Sequence, residues 1–256
     1  MLPMKMIDEA SYQGNEWTPA RLQAAGIQIV AVKATEGIGY LNPFYAAQVT
    51  AARVAKCAVM HYHVAHPANP SDKEFDYFES HALAGPGDLI MVDCEPQIFT
   101  LPPAVQSAWL ENFTRFISSK WPGVSPVIYA TGILISDGST ESVRDRLPLF
   151  LAVPGADPAN PPAPPQPWLL SFLQYGEAAG TDQDAAYFGS LAQLQKLAIP
   201  LPAPRPPVPP MPPTPPPVTA PQADDALVVL AAAAPAGDRA AQGAAALLRQ
   251  FIDQHS

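Results

Sequence analysis

Leu89-Ile90-Met91-Val92-Asp93-Cys94-Glu95 is an apolar run that ends in two carboxylates two residues apart. Its first four residues have the composition of a buried β-strand. Along a strand, side chains at i and i+2 share a face. Asp93 and Glu95 should therefore project together from the strand end, with carboxyl groups on the order of 5–7 Å apart given the strand rise. Two like charges that close raise one pKa, so one carboxyl keeps its proton near neutral pH while its neighbour stays ionised. The spacing alone is weak evidence, because carboxylates two apart also cap following helices or face water.

Outward from this stretch, the chain alternates strand-like and helical patterns from residue 5 to about 198. Strands are predicted at 5–8, 27–33, 58–64, 89–93, 126–130, 149–153 and 169–174, and helices at 19–25, 44–55, 72–83 and 104–120. Asn69-Pro70-Ser71 supplies a start signal for the third helix. Such alternation implies a parallel sheet, and with this many strands the expected fold is an α/β class, TIM-like β/α barrel. Segment 154–167 reads as a proline-rich loop, so the barrel should be irregular, with helices short or missing in its second half.

Composition shifts abruptly after residue 198. Residues 199–222 are dominated by proline and read as a polyproline II spacer; a docking site for a proline-reading partner is the other reading. Residues 223–256 form an Ala-rich helical tail, in which Leu247, Leu248, Phe251 and Ile252 make an apolar patch at helical spacing. So small a helix should seek a protein partner or a larger assembly. The expected domains are thus 1–198, 199–222 and 223–256.

At 256 residues and 48% hydrophobic content, one sizeable core fits the chain better than two. A formal charge of −9 and the lack of a useful Lys/Arg cluster argue against nucleic-acid binding. No apolar stretch reaches the length of a membrane span. The opening residues run straight into the first strand, so no secretory signal is expected and synthesis in the cytoplasm is. Cys57 and Cys94 should lie at opposite ends of neighbouring strands. The offset is about 20 Å at roughly 3.3 Å per residue, against a bridgeable separation of about 7 Å. Two free thiols are predicted.

In a β/α barrel, chemistry gathers where the strands end. Those positions supply Asp8, Lys33 with Glu36, Tyr62, Asp93 with Glu95, Tyr129, Gln174, and finally Asp182 and Asp184. A proton donor beside an anion is the equipment for cleaving a glycosidic bond. Lys33 reads either as an ion-pair partner for the acids or as a sugar contact, and Glu36 as a loop brace. Tyr62 and Tyr129 suit sugar stacking or hydroxyl hydrogen bonding, with ordinary barrel packing as the alternative. His61 and His63 read as packing residues. The histidines lack metal-ligand spacing, and no cofactor or metal is expected.

The order of these blocks resembles the family-25 glycoside hydrolases, the Chalaropsis-type lysozymes of bacteria, fungi and bacteriophages. The resemblance rests on D-x-x-x-Y-Q-G from Asp8, K-A-T-E-G-x-G-Y-x-N-P from Lys33, the Tyr62-His63 step, the Asp93/Glu95 pair, Ile128-Tyr129 and Gln174-Tyr175. It covers about residues 5–195 and implies a muramidase acting on peptidoglycan glycan strands at the bacterial cell wall. By matched position, Glu95 would be the general acid/base. Asp93 would either orient the substrate's 2-acetamido group or stabilise the cation. Asp8 and Asp184 would complete the acidic cluster; Asp184 is preferred to Asp182 because Phe188 follows it at the family's usual distance. Phe150 stands where the family often carries tryptophan, and is expected to bind sugar. Two alternatives remain: a virion-associated or wall-binding structural protein that retains the barrel with the tail as anchor, and a chitinase-like hydrolase, which would lack the K-A-T-E-G block.

Overall fold

The computed structural model describes residues 3–178 and 180–201. The spacer beyond residue 201 and the whole expected tail lie outside the described residues. The strands are β1 (Met4–Glu9), β2 (Ile29–Glu36), the two-residue β3 (Tyr40–Leu41), β4 (Ala58–Val64), β5 (Leu89–Cys94), β6 (Val127–Thr131), β7 (Leu149–Ala152), β8 (Leu170–Ala178) and β9 (Thr181–Ala186). All but β3 close into a barrel, with β1 pairing both β2 and β9. β3 folds back on the end of β2.

Helices α1 (Pro19–Ala25), α2 (Tyr45–Val54), α3 (Ser71–His81) and α4 (Pro103–Lys120) alternate with the early strands, and α5 (Gly132–Ser136) and α6 (Leu191–Leu194) are short. No helix forms between β7 and β8, where the proline-rich loop runs. The irregular barrel expected from sequence is the fold observed. No helix among the described residues is long and apolar enough to cross a membrane.

One strand departs from expectation. No strand was predicted at β9, which runs antiparallel to both of its neighbours. Its sequence, TDQDAA, offers neither an apolar run nor β-branched enrichment, so no strand signal is present. A hairpin turn delivers it, with Gly180 at φ +75°, a left-handed value that costs glycine little.

The barrel interior is layered by strand periodicity. Met6, Ala31, Met60, Met91, Val127 and Phe172 belong to one buried apolar cluster inside the strands. Two residues further along, and so on the same face, stand Asp8, Lys33, Tyr62, Asp93, Tyr129 and Gln174. The apolar floor thus carries the polar site directly above it. On the outer face Ile7, Val32, Val59, Ile90, Val92 and Ile128 pack with Leu22, Val49, Phe78, Leu110 and Phe113 of the helices. Leu194 and Ala198 close the opposite end of the interior. Ile199, assigned to the spacer from sequence, belongs to the barrel instead. It is buried, its N–H donates to Asp88 O at 2.9 Å, and its carbonyl accepts from Gly87 N at 2.8 Å. Cys57 and Cys94 are both free and buried.

His61 and His63 lie on the outer face of β4 and tie it to the helices. His61 meets Tyr45 Oη at 2.7 Å and Asp88 at 3.1 Å; His63 meets Thr35 at 2.9 Å and Glu74 at 2.8 Å. Burial holds both imidazoles below their usual pKa, against the pull of those carboxylates.

Glu9 is the anomaly of the outer layer. It is 1% exposed, and neither carboxyl oxygen finds a hydrogen-bond partner among the described residues. Burial, with help from the charge of Asp8, pushes its pKa from 4.5 to about 8, only partly offset by Arg21. The folded chain therefore binds this proton more tightly than the unfolded chain does. Its contribution to stability is complete below pH 4.5 and is lost as pH rises through about 8. The isosteric Glu9→Gln variant should raise the thermal midpoint at pH 8 by roughly 5 °C and flatten the decline between pH 5 and 8. A midpoint-against-pH series on both proteins checks this, and parallel curves would refute it.

Candidate active site

The strand ends converge on an open cavity of about 570 Å³ at the carboxyl-terminal mouth of the barrel. Asp93 and Glu95 both line it, as the i, i+2 reading of β5 predicts, and so do Asp8, Lys33, Tyr62, Tyr129 and Gln174. Seven of the nine residues expected from sequence thus share one pocket. The other two lie deeper. Phe150 is fully buried in the interior cluster, its ring edge-on to Tyr129 at 5.3 Å. Phe150 packs beneath Tyr129 and is not among the residues lining the cavity. Asp184 is 2% exposed and sits one layer down, opposite Met6 and Gln174 in the ladders. It is Asp182, opposite Asp8, that lines the cavity. Asp184, preferred from sequence as the last acid of the cluster, thus lies beneath the cavity beside Asp8, and Asp182 is the one exposed to it. β9 runs downward into the barrel, so its earlier residue is the upper one.

A polar relay braces the first strand. Tyr129 Oη donates to Gln174 Oε1 at 2.7 Å, and Gln174 Nε2 donates to Asp8 Oδ2 at 3.1 Å. Neither Asp184 oxygen accepts a hydrogen bond from a donor among the described residues. Its contact is with Asp8, to which a protonated Asp184 would donate. Burial is the first cause of a strongly raised Asp184 pKa, and the charges of Asp8 and Asp182 add to it. The geometry is that of one carboxylic acid holding a proton against a second carboxyl.

The remaining acids are raised for the same reasons. Burial, then Asp182, lifts Asp8 to about 7 despite the Gln174 hydrogen bond. Asp93 is pushed well up by burial, by Glu95 and by Asp8, with Lys33 opposing. Glu95 is raised by burial and by Asp182, while the Gln97 amide, at 3.2 Å from Oε2, and Lys33 pull the other way. Asp93 and Glu95 titrate as a pair, so the proton between them belongs to the pair.

Lys33 is the nearby cation, and it is already engaged. Its Nζ lies 2.5 Å from Glu36 Oε2, over the Tyr40 ring at 5.2 Å, and His66 holds the other Glu36 oxygen at 3.1 Å. Burial alone would raise Glu36, but Lys33 and then His66 outweigh it and hold its carboxyl below the usual range. The sequence reading paired Lys33 with the acidic cluster, whereas its salt-bridge partner among the described residues is Glu36 at the end of its own strand.

Sequence reasoning missed Tyr12, Gln13 and Gln97 as cavity residues. The first two sit in the quoted D-x-x-x-Y-Q-G block, where they carried only the resemblance. Gln97 had no signal beyond its closeness to Glu95. Among the described residues, no group of three or more His, Cys, Asp or Glu side chains is arranged to hold a metal ion.

Comparison with known proteins agrees with this geometry. The family model for "Glycosyl hydrolases family 25" matches residues 7–187. An N,O-diacetylmuramidase of Arthroderma benhamiae is 28% identical over 186 residues, covering 68% of this chain and 77% of its own. One from Chalaropsis sp. is 30% identical over 178 residues, covering 60% and 82%. The muramidase structure from Trichobolus zukalii superposes with a TM-score of 0.66 at 24% identity, over 76% of this chain and 98% of that one, a likeness of fold. The family match spans the whole barrel from β1 to β9, and with it the chain belongs to glycosyl hydrolases family 25.

Proposed function

We propose that this chain is a muramidase, hydrolysing the β-1,4 bond between N-acetylmuramic acid and N-acetylglucosamine in peptidoglycan. The observation that carries the reading is the joint presentation of Asp93 and Glu95, two coupled acids with raised pKa values, into one open cavity. The N,O-diacetylmuramidase relatives support the substrate class.

Glu95 is the general acid. It is the more exposed of the pair and can reach a glycosidic oxygen lying in the cavity. As it gives its proton to that oxygen, the bond from the oxygen to the anomeric carbon breaks. The substrate's own acetamido oxygen closes on that carbon, and Asp93 accepts a hydrogen bond from the acetamido N–H. Water then attacks the same carbon, the bond to the acetamido oxygen breaks so that the acetamido group is restored, and Glu95, now a base, takes a proton from the water.

In the empty cavity, deep burial lets Asp93 compete for the shared proton. Substrate shifts that balance. An N–H donated to Asp93 favours its anion, and a sugar laid over Glu95 removes water from it and favours the acid. The proton then stands where bond cleavage needs it. Asp8 and Asp182 contribute negative potential facing the developing cation, and Asp184 holds Asp8 in place from below.

A structural or wall-binding barrel would need no paired acids, and no observation favours that alternative. Action at the bacterial cell wall follows from the proposed substrate. The expectation of a phage or virion setting leaned on the proline-rich segment, the tail and the expected lack of a secretory signal, and residues 202–256 lie outside the described residues.

Two measurements test this reading. Glu95→Gln should lower kcat on purified peptidoglycan at least about 100-fold, the scale of a general-acid contribution, with glycan binding retained. Equal clearing by both proteins would remove Glu95 from its role. The pH profile should be bell-shaped, its alkaline limb set by loss of the Glu95 proton. The Asp182 charge raises the Glu95 pKa, so Asp182→Asn should move that limb to lower pH. A limb that stays put or moves to higher pH would contradict the assignment.

A further inference from the structure

We propose that Tyr12 is a stacking platform for a sugar ring of the glycan strand beyond the pair of sugars at the cleaved bond. This rests on the muramidase reading and adds a residue that sets how the strand is held. Tyr12 is the most exposed large hydrophobic side chain among the described residues, at 88%, yet it borders the cavity that holds Asp93 and Glu95. An aromatic ring left in water at the rim of a polymer-binding cleft forgoes burial that would otherwise stabilise the fold.

The turn beneath the ring is held firmly. Ser11–Gln13 forms a single 3₁₀ turn after β1. Ala10 N–H donates to Gln13 Oε1 at 2.7 Å, and Gln13 Nε2 donates to Gly180 O at 2.9 Å, tying the turn to the β8–β9 hairpin. From α2, Gln48 Nε2 donates to both Ala10 O and Gly14 O at 2.8 Å. Tyr40 Oη donates to Ser11 Oγ at 2.8 Å. Three separate elements therefore hold the turn on either side of a ring that is itself almost wholly exposed.

Pre-organisation of this kind lowers the entropy lost when a ligand docks. It also identifies the occupant. The polar groups of Ala10 and the Gly14 carbonyl are already used within the fold, so the turn offers mainly the flat face of the ring. The apolar C–H face of a pyranose matches that surface. A peptide backbone, which needs hydrogen-bonding partners of its own, does not.

The test measures binding in the Glu95→Gln background, where turnover does not interfere. Titration calorimetry uses alternating N-acetylglucosamine–N-acetylmuramic acid oligosaccharides, four and eight sugars long, stripped of stem peptides. Adding Tyr12→Ala should weaken binding of the octasaccharide about tenfold and that of the tetrasaccharide much less, with the thermal midpoint unmoved. Adding Tyr12→Phe should keep octasaccharide affinity within about twofold, because the ring face is what binds. Unchanged octasaccharide affinity in the alanine variant would overturn the proposal. So would a phenylalanine variant as weak as the alanine one, or an effect seen only when stem peptides are attached. Failure of the muramidase reading shows differently: the Tyr12-intact protein would then bind neither oligosaccharide.

Discussion

The site depends on one electrostatic constraint, the crowding of carboxyls above an apolar floor with one engaged lysine among them. Asp93 and Asp184 are buried, Asp8 is half-buried, and Glu95 and Asp182 stand beside them at the mouth. Carboxylates brought this close and removed from water cannot all ionise. The cluster therefore holds protons that free carboxylic acids would have lost, with Asp8 alone displaced to about 7. A stock of protons at neutral pH is what general-acid chemistry draws on. The same crowding opposes folding, which is why the cluster sits on a barrel whose interior, from Met6 to Phe172, is otherwise filled with apolar side chains.

Lys33 decides how far the crowding goes. A lysine wholly given to Asp93 or Glu95 would favour their charged forms and empty the cluster of protons. Glu36 draws it aside at 2.5 Å, and His66 steadies Glu36 from behind. Gly37, with φ +52°, lets the chain turn tightly there in a left-handed conformation that other residues adopt only with strain. The K-A-T-E-G block thus contains a cation and the carboxylate that restrains it, three residues apart. Farther out, His61 and His63 fasten β4 to α2, α3 and the α3–β5 loop through neighbours that satisfy both ring nitrogens. These contacts hold the strand carrying Tyr62 in register beside β5.

Legibility in the sequence followed periodicity. The strand 58–64 and the helix 19–25 match the observed elements to the residue. Asp93 with Glu95 was readable because a strand face repeats every two residues. The depth of Phe150 was not legible, because its expected role came from the resemblance and a sequence does not state how deep a ring will sit. β9 was invisible for a different reason. A strand whose inward side chains are aspartates at the mouth carries no hydrophobic signal, since its stability comes from ladders on both sides. Ile199 was lost to the composition shift beside it.

The reversal of β9 is what makes the acid cluster possible. A parallel strand reaches the mouth only with its last residues, and those must also begin the next loop. An antiparallel strand enters from the mouth, so Asp182 follows the hairpin by two residues and Asp184 lies directly below it on the same face. Closure against β1 sets Asp182 opposite Asp8, while pairing with β8 sets Asp184 opposite Gln174. Gly180, at the hairpin tip, lends its carbonyl to Gln13 and so reaches the turn that carries Tyr12. One antiparallel hairpin thereby supplies the upper carboxylate, the proton-holding acid beneath Asp8, and an anchor for the aromatic rim. A helix-linked parallel strand in its place would have separated these three parts.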